Sequence, residues 1–282
     1  MFRLHTFLFL GAVLLALGVA VQPAAAALID FSSPGQLTAN FQENSNGGVR
    51  PSQYSESASA GIGGGGGIAL INPTWDGQDG DNLVYNGSSM NITTGAITVS
   101  AFEHYQSTNY PYSFFLQVGI VGTTTQRFRE SGTFASVYMR TYSTAGDFNY
   151  PVTQNDMYLK YLQDTGNGTA ATTDFFPTPG HWYKLTATFA KNGSSIQVSG
   201  VALEDWGTAG TAFSSTLASA PGAFTFGSTN ALATDTTVWG GMSGTTEAAP
   251  GALDNFSMTP EPATMALLAI GGLGMLIRRR RP

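Results

Sequence analysis

His104 and His181 are the only histidines beyond position 27, and with a scatter of carboxylates they are the groups that could do acid–base or nucleophilic chemistry. Either histidine could in principle serve a Ser-His-Asp triad, but no G-x-S-x-G elbow presents a serine to it. His181 follows Pro179-Gly180 at the head of a strand-like stretch, the place of a turn residue. Glycoside hydrolysis needs two carboxyls facing one bond. Glu103 stands alone, and Glu204 and Asp205 are adjacent, so on a strand they point to opposite faces. Two carboxyls could still converge from separate strands, which keeps a polysaccharide-acting enzyme open as an alternative. The expectation from these residues is a protein that is not an enzyme. The chain has no cysteine, so thiolate metal sites, disulfides and cysteine nucleophiles are excluded.

Metal and sugar chemistry have more candidates. DGQDGDN (76–82) sets Asp76, Asp79 and Asp81 in a glycine-rich turn whose oxygens suit Ca2+. The EF-hand pattern fails there, because Gln78 replaces the second acid and no Glu closes the loop. EHYQSTNYPYSFF (103–115) is rich in Tyr and Asn. Sugars stack on aromatic faces, and their hydroxyls exchange hydrogen bonds with amides and donate to carboxylates. Tyr105, Asn109, Tyr110 and Tyr112 form the candidate ligand platform, with Trp75 beside Asp76 as a second. The competing reading is strand-edge tyrosines that pack their rings and wet their hydroxyls. GIGGGGGIAL (61–70) lacks the Lys-Ser/Thr of a phosphate cradle and reads as a flexible loop.

The elements that must position these groups are strands. The chain has 282 residues, 11% charged and 42% hydrophobic, with 35 glycines. In WYKLTATF (182–189), Tyr183, Leu185, Ala187 and Phe189 alternate with Trp182, Lys184, Thr186 and Thr188, which is period two. Asn192-Gly193 is a type I′ hairpin signal, with a return strand over about 195–203. Further strands are expected at 28–31, 96–102, 112–121, 134–142, 156–162 and 251–258. Many strands separated by turn residues mean an all-β sandwich or barrel. The order FLQVGI, MYLKYL, GHWYKLTATF and hairpin is similar to the concanavalin-like, or laminin-G-like, jelly roll. That resemblance implies a jelly-roll-type β-sandwich with its first and last strands side by side. It further implies a structural Ca2+ held by Asp30 and Asp254; the alternative is a strand-edge Asp254 capping a turn.

The two ends say where the sandwich goes. Arg3, the apolar run from Phe7 to Val21 and QPAAAA describe a secretory signal peptide, with cleavage near Ala26 or Ala27. At the other end Pro260-Glu261-Pro262 precedes an apolar stretch, Ala263–Ile277, and the cluster Arg278, Arg279, Arg280 and Arg281. As a helix that stretch would rise roughly 22 Å, a little short of a bilayer core of ~30 Å. The arginines would hold their end in the cytoplasm. This order resembles the PEP-CTERM sorting signal. The resemblance implies an exosortase as partner, processing near Pro260-Glu261-Pro262, a transient stay in the inner membrane, and a Gram-negative host that makes exopolysaccharide. The expected organisation is a signal peptide (1–27), a β-sandwich (28–258) and a sorting tail (259–282). Setting aside Arg3, Arg278–Arg281 and Glu261 leaves 7 basic and 17 acidic residues, so nucleic acid is excluded as a partner on charge. The sequence thus describes an exported surface or exopolysaccharide-matrix protein, lectin-like and non-enzymatic. Its alternatives are a jelly-roll glycoside hydrolase and a purely structural matrix protein.

Overall fold

The computed structural model describes residues 26–44, 54–71, 82–106, 115–128, 134–142, 156–163, 166–173, 178–220, 222–226, 232, 234–245 and 251–261. The two apolar end segments, Asp76, Asp79, Asp81, Trp75, Asn109, Tyr110, Tyr112, Pro262 and Arg278–Arg281 lie outside these residues. Among the described residues no helix is long and apolar enough to cross a membrane.

In chain order the strands are Ala27–Ile29 (β1), Phe41–Asn44 (β2), Tyr54–Ser57 (β3), Gly67–Leu70 (β4), Asn82–Tyr85 (β5), Met90–Asn91 (β6), Ile97–Tyr105 (β7), Phe115–Val121 (β8) and Phe134–Tyr142 (β9). They continue as Asp156–Gln163 (β10), Gly166–Thr173 (β11), His181–Asn192 (β12), Ser195–Asp205 (β13), Ser215–Ala220 (β14), Phe224–Thr225 (β15), Thr237–Thr245 (β16) and Ala252–Pro260 (β17). A short helix, Gln36–Asn40 (α1), precedes β2. One antiparallel sheet runs β14-β13-β12-β7-β17-β4-β3, with β1 on β17 and β15 on β13. The other runs β11-β10-β9-β8-β16-β5-β2, with β6 on β16. This is the jelly-roll β-sandwich that the sequence implies.

Period two builds the core. On β12, Tyr183, Leu185, Ala187 and Phe189 are fully buried between the sheets, and Lys184, Thr186 and Thr188 stand half-buried on the outer side. Val99 and Ala101 of β7 and Val118 and Ile120 of β8 close on them from the two sheets. The β12–β13 turn differs from the expected one. Asn192 pairs with Ser195, so the two turn residues are Gly193 and Ser194. Only Gly193 has positive φ, at 60°, which is the pattern of a type II′ turn.

β1 lies antiparallel against β17, with Ile29 opposite Phe256 and Ala27 opposite Met258. The first and last strands are therefore neighbours, as expected. β17 runs two residues past position 258, so the motif's Pro260 ends a core strand. Several strands carried no period-two signal. β16 reads TVWGGMSGT, and its glycines leave room for neighbouring side chains: a Cβ on Gly240 would meet Met258 Sδ at 2.8 Å and one on Gly244 would meet Leu253 at 2.5 Å.

Candidate functional site

A cleft of about 670 Å3 opens on the outer side of the nine-stranded sheet. Trp182 and His104 lie on its floor, because β12 and β7 pair them side by side. The rings stack with centroids 4.9 Å apart. Gly61, Gly63 and Gly64 form one wall, and Thr208 and Ala209 stand on another. Gln106 projects at the end of β7.

The glycine wall corrects the expectation of a flexible loop. Residues 62–64 make a 3-10 turn, with the Gly61 amide on the Gly65 carbonyl at 2.8 Å and the Gly63 amide on Ala209 at 2.9 Å. A Cβ on Gly61 would fall 1.8 Å from the Gly66 carbonyl oxygen. Glycine is needed there for backbone to lie on backbone, and the result is ordered chain.

His104 is neutral in this setting. Burial lowers its pKa, the Gly180 carbonyl partly opposes that, and the neighbouring His181 adds a small repulsion. Nε2 lies 3.1 Å from the Gly180 carbonyl, which can only accept, so Nε2 carries the proton. Nδ1 then accepts from the Gln106 amide at 2.8 Å. With both nitrogens engaged, His104 orients Gln106 at the cleft mouth.

Beyond the turn at 207–210, an aromatic patch continues the same face. Trp206 meets Phe102 edge-on at 5.2 Å and Phe213 at 6.2 Å. Phe213 is 53% exposed. Lys184 Nζ stands 5.5 Å from the Trp206 ring centre and 5.6 Å from that of Phe102, within cation–π range. The Trp206 indole donates to Glu204 at 3.0 Å. A ring face, a carboxylate and an ammonium thus meet at one surface. Sequence reading missed this patch, because Trp206 and Phe213 fall in a turn-rich stretch, EDWGTAGTAF, with no period to flag it.

The sequence-derived ligand platform fares differently. Tyr105 is 1% exposed, an inward residue of β7 packed in the core. It cannot offer a face to a sugar; the alternation of the strand gives that side to His104 and turns Tyr105 inward. Asn109, Tyr110 and Tyr112 lie outside the described residues.

Asp30 and Asp254 are brought near each other by the β1–β17 pairing. Asp254 is 3% exposed, and its two oxygens accept from the Ile62 and Asn255 amides, each at 2.7 Å. Burial pushes its pKa up to about 6; those two amides oppose the rise and the charge of Asp30 adds to it. Asp30 is exposed and accepts from the Ser32 amide and hydroxyl, and its pKa is lowered by them. Phe31 and Asn255, each next to one of these acids, hold positive φ of 49° and 47°. Among the described residues no three His, Cys, Asp or Glu side chains converge as a metal site. Ca2+ between the two acids would need backbone carbonyls to complete its oxygen shell.

The remaining acid–base candidates are engaged or sealed. His181 Nδ1 sits 3.0 Å from each Asp205 oxygen, and Asp205 also accepts from the Gly207 amide at 2.6 Å. Glu204 and Asp205 do point apart, one to Trp206 and one to His181. Glu103 is fully buried with no hydrogen-bond partner on either oxygen among the described residues, and burial holds its carboxyl well above the usual range.

On the outer side of the eight-stranded sheet, β8 and β16 are covered. Phe128 lies on Gly119 and Gly241, where a Cβ would come within 2.9 Å of its ring. Asn44 and Asn82 tether the covering loop through the Thr124 and Gln126 carbonyls. Beside it Gln117 donates to Ser136 at 2.6 Å, both fully or nearly buried.

Residues 259–281 match the PEP-CTERM protein-sorting motif. No curated protein sequence matches the chain. In structure it is similar to lectin UEA-II complexed with galactose, at 12% identity and TM-score 0.52, over 84% of this chain and 99% of that one. Lectin II from Ulex europaeus aligns as well, at 11% identity and TM-score 0.52, over 84% and 99%. A mutant of alginate lyase Aly36B in complex with alginate trisaccharide follows at 12% identity and TM-score 0.51, over 84% and 99%. At these identities the likeness is one of fold.

Proposed function

We propose that this protein is exported, sorted to the cell surface of a Gram-negative bacterium by an exosortase, and binds polysaccharide there without cleaving it. The sorting tail supports the route. The observation that carries the binding reading is the open face of the nine-stranded sheet. There a cleft with a backbone-lined wall stands beside the partly buried Trp206 and the half-exposed Phe213. Sugar hydroxyls suit the Gln106 amide and the glycine-loop backbone, and a pyranose face suits the Trp206–Phe213 pair. Affinity should be modest, because one or two stacked rings supply only a few kcal/mol before the costs of association.

Non-cleavage is supported by the state of the acids. Glu103 is sealed in the core, and His104 and His181 each hold fixed partners. The test is titration of the exported domain with the host's own exopolysaccharide. Gln106→Ala and Trp206→Ala should each weaken binding with the fold retained. Reducing ends and unsaturated-uronate absorbance are followed in the same samples. Product formed in proportion to protein would place it with the hydrolases or lyases. Neither binding nor product would leave a structural matrix role.

A further inference from the structure

The Pro-Glu of the sorting motif belongs to the folded domain. Pro260 lies opposite Ile97 of β7, and Thr259 lies opposite Thr98. One residue on, the Glu261 amide donates to the Ala96 carbonyl at 2.8 Å. The Glu261 carboxylate accepts from the Thr98 hydroxyl. Thr98 and Thr188 share a hydrogen bond of 2.6 Å. A carboxylate only accepts, so Thr98 gives its proton to Glu261 and receives that of Thr188. The network crosses from the end of β17 over β7 to β12.

β1 pins β17 from its other edge as far as Met258, opposite Ala27. Residues 259–261 are therefore held from the β7 side, past the last β1 pairing. An enzyme that cuts a peptide bond must first take the chain as an unpaired segment, and cleavage then follows the population of the opened form. Here that opening is small: three residues peel from β7 while β1 keeps the rest of β17 in place.

We propose that the folded domain gates its own sorting: β7 and the Thr98–Thr188 pair dock Thr259-Pro260-Glu261, and an exosortase reaches the motif when these three residues detach. The proposal rests on the exosortase reading of the tail. The test uses the full chain in its host, with tail loss followed by pulse-chase and intact mass. Thr98 and Thr259 face each other across β7 and β17, a spacing that accepts a disulfide, and the chain has no other cysteine. Oxidised Thr98→Cys/Thr259→Cys should lose its tail at least about tenfold more slowly than the reduced form, because locking the strand ends removes the opened population. Thr259→Cys alone should behave as wild type. In the loosening direction, Thr98→Val should speed tail loss about threefold, the effect of one charge-assisted surface hydrogen bond, and Thr98→Ser should restore the wild-type rate. Equal rates for the oxidised and reduced double variant would overturn the gating. A wild-type chain that keeps its tail would overturn the sorting reading, and the gating with it.

Discussion

On the outer side of the nine-stranded sheet, Trp182 carries the ring of His104 and a cleft stands open above them. On the outer side of the eight-stranded sheet, Phe128 lies over Gly119 and Gly241 and covers β8 and β16 there. Both faces use glycine to let something approach, and what approaches decides the outcome. At Gly61 and Gly66 it is backbone, which stacks into a wall of the open cleft. At Gly119 and Gly241 it is an aromatic ring, which removes the surface from water. A glycine-rich jelly roll can thus expose one face and plug the other with the same residue type.

The comparison breaks first at Phe128. Phe128→Ala should cost about 3–5 kcal/mol of stability, the usual price of emptying a buried aromatic site. It should leave polysaccharide binding on the opposite face intact in the fraction that stays folded. Thermal melts and titration of the same sample check this. Loss of binding in parallel would mean the covered face, and not the cleft, holds the ligand.

Glu103 lies between the two sheets and serves neither face. Its unpartnered carboxyl is a burden that grows as it ionises, so Glu103→Leu should stabilise the fold by about 1–3 kcal/mol at neutral pH. Chemical denaturation measures it. A destabilised variant would show that the carboxyl has a partner in the folded protein after all.

Asp254 sharpens the open face by pH. Its pKa is raised from 3.8 to about 6 in the fold, so between these values the folded state binds more protons than the unfolded one. Stability contributed by this group is then full below about pH 4 and falls as pH rises to about 6. Asp254→Asn should flatten that slope. Ca2+ held between Asp30 and Asp254 would reverse it, since a cation favours the ionised form. Melts at pH 4 and pH 7, with Ca2+ and with chelator, separate the two cases.

The smallest effect is at the rim. Phe213→Ser should change stability by no more than about 0.5 kcal/mol, because the ring is half in water. It should weaken glycan binding about threefold, the lower end of an aromatic contact's worth. Unchanged binding would confine the ligand to the cleft.

Strand type and export route were legible in the sequence because both are written locally. Alternation over 182–189 needs no partner to be seen, and neither do an apolar run, Pro-Glu-Pro and four arginines in order. The side-by-side first and last strands followed from resemblance to the jelly roll. The tertiary structure decided the rest, because those features depend on which residue a neighbour presents. Tyr105 and His104 differ in role only through the face of β7 that meets the core. Gly240 and Gly244 make a strand out of an unpatterned stretch because Met258 and Leu253 fill their places from β17. The glycine run became a wall because Ala209 and Asp254, distant in the chain, accept its amides. Glu261 reads in the sequence as part of the processing motif; in the fold, Ala96 and Thr98 make it the last tie of the sheet, since the chain entering β7 lies close enough to pair with it.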